Sequence, residues 1–312
     1  MKSLPAVVIT APMLVSSSVA EPDLSAAGPW WPTPGEVAWV TGTNYPVGSR
    51  VVRAAQHRVY RDTAGGVSSL EPEKDPVRWF NERPTNRYAW NDLRTSTPTL
   101  AASPYTLTVR PGAIADVALE GLGNVDSVRV QMWDAPGGEL VYDHTASLLY
   151  WSGNPVISYY FDLPYKRRKV RLKGLPAHSG CEVTVTISSL NGEAVSVGAI
   201  AFGRFVELGC SEFEFEMKLR TYGSAESDKY GTTTLVDGPV ARDLSGSDTV
   251  SAEDANRVAD FLERYRNMAC VWVTHDHPLY DYLSTVGVAD VSLKPMNARE
   301  ARLTMNIQGV VA

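Results

Sequence analysis

The chain has 312 residues, 44% of them apolar and 21% charged, with a formal net charge of −6. That length suits two or three cores rather than one, and the composition excludes wholesale disorder. The acidic balance disfavours a wrapper of duplex nucleic acid, and three scattered cysteines (Cys181, Cys210 and Cys270) exclude a disulfide framework or a zinc knuckle.

Residues 1–36 read as an extended N-terminal arm. An apolar stretch from Leu4 to Val15 is interrupted by Pro5 and Pro12 and followed by Ser18-Val19-Ala20. Two readings fit that layout. One is a secretory signal cleaved after Ala20. The other is an arm that docks on a neighbouring subunit, because a Pro-rich, β-branched segment cannot bury itself and seeks an edge or groove. Trp30 and Trp31, in the proline-rich end of the arm, are expected to pack on a neighbour or a ligand. No segment has the roughly 18 consecutive apolar residues of a membrane-spanning helix, so no membrane insertion is expected.

Residues 37–80 form a small aromatic β unit. Strands are predicted over Ser49 to Arg53 and Gln56 to Arg61, with a turn at Asn44 to Gly48 and a polar loop at Gly65-Gly66. A unit of this size has little core, so Trp39, Tyr45, Tyr60 and Trp79 are its notable rings. They are either its core or a platform for sugar rings, whose C–H faces stack on aromatic faces. Composition favours the core.

Residues 81–103 read as a polar connector. Residues 104–209 read as a jelly-roll-like β-sandwich. Its predicted strands are Tyr105 to Val109, Ser127 to Trp133, Leu140 to Tyr142, Val156 to Phe161, Lys169 to Leu172, Glu182 to Ile187 and Val195 to Phe202. Gly121-Leu122-Gly123 is expected as a turn, and Asp143-His144 as a loop without a nucleophile. Lys166 to Lys173 holds six basic residues in eight positions. It is either a patch for phosphate-rich partners or a strand whose Val170 and Leu172 face inward, with the charged face solvated or bridged to another subunit. The alternation favours the strand.

Residues 210–312 read as a small α+β domain. Strands are predicted over Glu212 to Lys218, Met268 to Thr274, Val286 to Leu293 and Arg302 to Val310. The predicted helix runs from Ala252 to Arg266, capped by Ser251, with Ala255, Val258, Leu262 and Tyr265 on one face. His275 and His277 could share one side of a strand end near Asp281 as a metal site, or form a polar exit before Pro278. The sequence has no P-loop, dinucleotide fingerprint, zincin helix or nucleophile elbow. No catalytic residue, metal or cofactor is assigned. The fold class expected is mainly β.

Trp39, Tyr45, Gly48, Val51, Tyr60 and Trp79 follow the pattern of the small carbohydrate-binding modules of chitinases and cellulases, and the segment resembles them. Ser49 replaces their Asp, and Arg53-Ala54-Ala55 replaces their Tyr-x-Gly turn. A wider resemblance covers most of the chain. The opening Ile9 to Ser17, the aromatic module, Pro84-Thr85-Asn86-Arg87-Tyr88, Ala199 to Arg204, Lys229 to Thr234 and Val271-Trp272-Val273 follow in the order found in a group of tail proteins from phages of Gram-negative bacteria. That resemblance implies a structural virion protein at or near the baseplate, present in several copies. Its partners would be copies of itself, other tail proteins and a host-surface glycan, and its arm a docking element rather than a signal. The alternatives are a secreted bacterial carbohydrate-binding protein and a hydrolase with a site near His275 and His277.

Overall fold

The structure is a computed structural model, and it describes residues 1–25, 35–150, 165–212, 215–227, 229, 232–236, 238, 240–277 and 280–310. The chain is mainly β, built from antiparallel sheets with a single α-helix among the described residues. Trp30, Trp31 and the strand expected over Val156 to Phe161 lie outside the described residues.

Three stacked sheets carry the larger part of the chain. The outer one runs, in spatial order, Leu140–Ser147, Ser127–Trp133, Glu182–Ser188, Tyr105–Val109 and Leu14–Ser17. Val128, Val130 and Met132 alternate inward with Val183, Val185 and Ile187, so one face makes core and the other meets solvent. Asp143 and His144 lie within a strand of this sheet, not in a loop, and Asp143 pairs with Arg129 on the adjacent strand.

The middle sheet runs Lys169–Lys173, Asp116–Gly123, Val195–Gly203 and Thr99–Ala101. Its central strands are buried on both faces, which explains the near-continuous apolar run from Val195 to Gly203. Val117, Leu119, Ile200 and Phe202 face the sandwich core, while Ala118 and Ala201 face the third sheet.

Gly121-Leu122-Gly123 is not the expected turn but part of a strand. Gly121 has φ +70°, and a Cβ there would meet the Thr95 side chain at 2.9 Å. Gly198 sits opposite and is equally tight against Thr95. At this pair both strands reverse their alternation: Leu122 and Val197 face the sandwich core although Glu120 and Ala199 lie two positions away on the other side of the kink. Only a pair lacking side chains lets the Thr95 backbone approach so closely.

The third sheet has eight strands. Its order is Val206–Glu207, Lys2–Pro5, Cys270–Val273, Ser284–Pro295, Glu300–Gly309, Val240–Ser251 and Cys210–Ser211, with Glu216–Thr221 also pairing on Val240–Ser251. One face packs Val271, Val273 and Val286 against the middle sheet, with Leu4 between them. The other face packs Met1, Leu244, Trp272, Leu303, Met305 and Ile307 under the helix Ala255–Arg264, which lowers Val258, Phe261 and Leu262 onto it. The helix is shorter than expected at both ends. Ser251 accepts a hydrogen bond from the Asp254 backbone N–H, and Asp254 takes the cap position.

The N-terminal segment is not a free arm. Lys2–Pro5 is an interior strand of the third sheet, between Cys270–Val273 and Val206–Glu207. Ala6 then bridges Gly203, and the Val7 N–H donates to the Phe202 carbonyl at 2.7 Å, carrying the chain onto the middle sheet. Leu14–Ser17 forms the edge of the outer sheet against Tyr105–Val109. The edge such a segment needs is thus found within its own chain.

The expected connector is also structured. Trp79–Pro84 completes a three-stranded sheet with Arg50–Arg53 and Arg58–Asp62 in the aromatic module, Tyr88 and Trp90 enter the sandwich core, and Thr99–Ala101 joins the middle sheet. A polar-looking stretch hid three separate attachments because its apolar residues are few and widely spaced.

Candidate functional site

The aromatic module gathers the four sequence-predicted rings, but as packing. Tyr45, Tyr60 and Trp79 are 8%, 6% and 2% exposed and form a core with Val51; Trp39 packs at its rim. Tyr45 and Trp79 meet edge to face at 5.5 Å. The Tyr45 hydroxyl accepts from the Val40 N–H at 2.8 Å, and the Trp39 indole N–H donates to Ser68 Oγ at 3.1 Å. The Arg53 guanidinium covers the Trp39 ring at 5.0 Å, itself held by Glu73 and Glu71. A stacking platform needs free ring faces, and the faces of Tyr45, Tyr60 and Trp79 are inside, in keeping with the favoured reading of these rings as core.

Where the sugar-binding modules have Tyr-x-Gly, Arg53-Ala54-Ala55 leads into a short 3-10 turn, Ala54–Gln56. His57 follows at φ +54°, the left-handed region that glycine favours. Its imidazole lies 2.9 Å from Glu21 and stacks on Tyr88 at 3.9 Å. Asp62 orders the Gly65-Gly66 loop by accepting from the N–H groups of Ala64 and Gly65, and pairs with Arg78 at 2.6 Å. Burial pushes the Asp62 carboxyl up, but Arg78 and the two backbone donors outweigh it and hold it below the usual range.

The more consequential constellation joins the bodies. Glu36 is fully buried and accepts from the backbone N–H groups of Asp23 and Asn86, both at 2.8 Å. Burial pushes the Glu36 carboxyl up against those two hydrogen bonds. The Asn86 amide donates to Asp23 and to the Leu100 carbonyl, and accepts from the Leu100 N–H. Thr85 donates to Glu21 at 2.6 Å. The Pro84-to-Tyr88 motif thereby clasps the arm, the module and the middle sheet at one point.

A second joint lies between the middle and third sheets, and the basic run supplies it. Val170 and Leu172 face the sandwich core as the alternation predicts. The opposite face reaches the chain's own C-terminal sheet rather than solvent. Lys169 donates to the Ser284 carbonyl at 2.6 Å, Arg171 pairs with Asp281 at 2.9 Å, and Lys173 pairs with Asp276, which also holds Lys2. Glu120 lies beneath Lys169 and Arg171 at 3.5 and 3.6 Å. Burial lowers the Lys169 ammonium below its ordinary range, a shift that Glu120 only partly opposes.

The expected pair His275 and His277 does not converge as ligands. The His275 Nδ1 accepts from the His277 backbone N–H at 3.0 Å, and the rings stand 6.5 Å apart. Asp276 between them is committed to two lysines. Burial would raise its carboxyl, but Lys173 and Lys2 hold it low. Among the described residues no three His, Cys, Asp or Glu side chains gather as a metal site.

Compared with known proteins, the chain matches no family model and no curated protein. The joints were the part that sequence reasoning missed. The clasp's one signal in the sequence was the Pro84-to-Tyr88 motif, which supplies Thr85 and Asn86.

Proposed function

We propose that the chain is a structural component of a phage tail or baseplate, acting through surfaces presented to other tail proteins and to further copies of itself. One observation supports this reading: three of the six segments on which the resemblance rests fall at the joints. Pro84 to Tyr88 is the clasp, Ala199 to Arg204 receives the arm on the middle sheet, and Val271-Trp272-Val273 receives it on the third. Buried, hydrogen-bonded joints suit such a component, because a scaffold must hold its binding faces in fixed relation.

Exposed apolar side chains supply faces for contact. Leu219 and Tyr222 are exposed at the end of Glu216–Thr221. Beyond them the two-stranded hairpin of Ser224–Ser227 and Thr233–Val236 exposes Leu235 and Val236. A two-stranded hairpin is marginal alone, so one held out in this way suits contact with a neighbour. The test is mass spectrometry of purified phage particles. Peptides from this chain, including residues 1–20, are expected at a constant ratio to the other tail proteins. Recovery only from cell-free medium, with an N-terminus at Glu21, would replace the proposal with a secreted protein.

A further inference from the structure

A cleft of about 430 Å³ opens above the second joint, between the middle sheet and the third. This volume falls in the range of roughly 300–1,000 Å³ seen for small-ligand sites. Three features of its wall point to one chemistry.

Tyrosines stand at the mouth. Tyr150 and Tyr165 face each other across a two-residue strand pair, and Tyr282 comes from the third sheet's side. They are 40%, 62% and 50% exposed. Unlike the rings of the aromatic module, these offer free surface. Such rings with a hydroxyl at the edge suit a ligand with an apolar face and a polar rim.

The wall is cationic in an acidic protein. Arg167, Arg168, Lys169 and Arg242 line it against Glu120 and Asp281, four positive charges to two negative. Arg167 lies over the Tyr150 ring at 5.0 Å and Lys169 is spent on the joint. The guanidinium groups of Arg168 and Arg242 have no ion pair among the described residues. Two uncommitted guanidiniums match the planar geometry of a carboxylate or a phosphate.

The floor holds a buried carboxylate, Glu120, paired with Lys169 and Arg171 at 3.5 and 3.6 Å. Glu120 is 3% exposed and lines the cleft, and its Oε1 has no hydrogen-bond partner. Ion pairing at 3.6 Å leaves that oxygen room for one hydrogen bond from a hydroxyl or amide.

We propose that this cleft binds an acidic saccharide. Sugar C–H faces would stack on Tyr150, Tyr165 and Tyr282, the acid group would meet Arg168 and Arg242, and a sugar hydroxyl would donate to Glu120. This goes beyond the structural role and does not depend on it, since the purified chain can be tested alone. It also moves the carbohydrate surface away from the aromatic module. Nucleic acid would engage the cations as well, and the oligonucleotide arm of the experiment separates the two.

The experiment is titration calorimetry of the full chain with a tetragalacturonate, the neutral galactan of equal length, and a single-stranded oligonucleotide of equal charge. The acidic sugar is expected to bind with a Kd of about 0.1–1 mM, and the neutral one at least roughly tenfold more weakly. Arg242→Gln and Tyr282→Ala are each expected to weaken binding by about tenfold at unchanged melting temperature. If Arg242→Gln lowers the melting temperature, Arg168→Gln, on an exposed side chain, gives the same readout. No binding by the native chain, equal affinity for the neutral sugar, tighter binding of the oligonucleotide, or variants that bind like the native chain would each overturn the proposal.

Discussion

At the scale of single residues, burial decides between the two uses of an aromatic ring. Trp79 is 2% exposed and packs on Tyr45, so Trp79→Ala is expected to cost about 3–5 kcal/mol, enough to unfold the module. Circular dichroism and limited proteolysis of the variant would register the collapse; a folded module that merely lost a ligand would restore the platform reading. Asp92 gives a pH test. Burial pushes its carboxyl up to about 6 against hydrogen bonds from the Arg94 N–H and the Thr97 hydroxyl. A raised folded pKa means that stability is fully present below about pH 4, where the carboxyl is protonated in the folded and the unfolded chain alike, and is lost as the pH rises through about 6. Asp92→Asn keeps both hydrogen bonds, because the Thr97 hydroxyl can turn to accept. It is expected to be about 1–3 kcal/mol more stable than the native chain at pH 8 and equal to it near pH 4. Denaturant melts at the two pH values measure this, and a difference independent of pH would refute the cause.

Elements show how far the sequence could be read. Tyr105–Val109 and Ser127–Trp133 were legible to the residue, because large apolar residues recur at every second position along each. The strand at Lys169 was legible for the same reason, though not the partner of its charged face. Val240–Ser251 was not. Its sequence VARDLSGSDTVS looks like a loop because Asp248 is buried for a salt bridge with the Met1 ammonium at 2.9 Å and Gly246 makes room for the Phe215 ring. Nothing local signals a partner 247 positions away. Lys2–Pro5 failed likewise: four residues with a proline carry no period, and only the edge awaiting them in Cys270–Val273 makes them a strand. In the candidate site the rings were legible as a set, with the core favoured. The clasp was legible only through the Pro84-to-Tyr88 segment singled out by the resemblance, since hydrogen-bond geometry leaves no mark on composition. Leu4→Ala is expected to cost about 2–5 kcal/mol, because its fully buried side chain fills the space between Ala118, Ala201 and Val271. Asn86→Ala is expected to cost about 2–3 kcal/mol by stranding Asp23 and the Leu100 backbone groups. Thermal melts of both variants check these values, and shifts under a degree would mean that neither contact fastens anything.

For the whole molecule, one N-terminal segment threads all three bodies. It is a strand in the third sheet, an edge in the outer sheet, and at Glu21 and Asp23 part of the clasp on the module. Cleavage after Ala20 would strip a strand from two sheets at once, which sets the secreted reading at odds with the fold's own wiring. The Lys169–Ser284 and Arg171–Asp281 contacts add a second fastening between the middle and third sheets. If the chain works as a scaffold, these sheets must behave as one piece. Differential scanning calorimetry of the intact chain, and of the chain lacking residues 1–7, tests that most directly. The account predicts a single transition for the middle and third sheets in the intact chain, splitting in two when the segment is removed. Two resolved transitions in the intact chain, or one transition unaffected by the deletion, would contradict it.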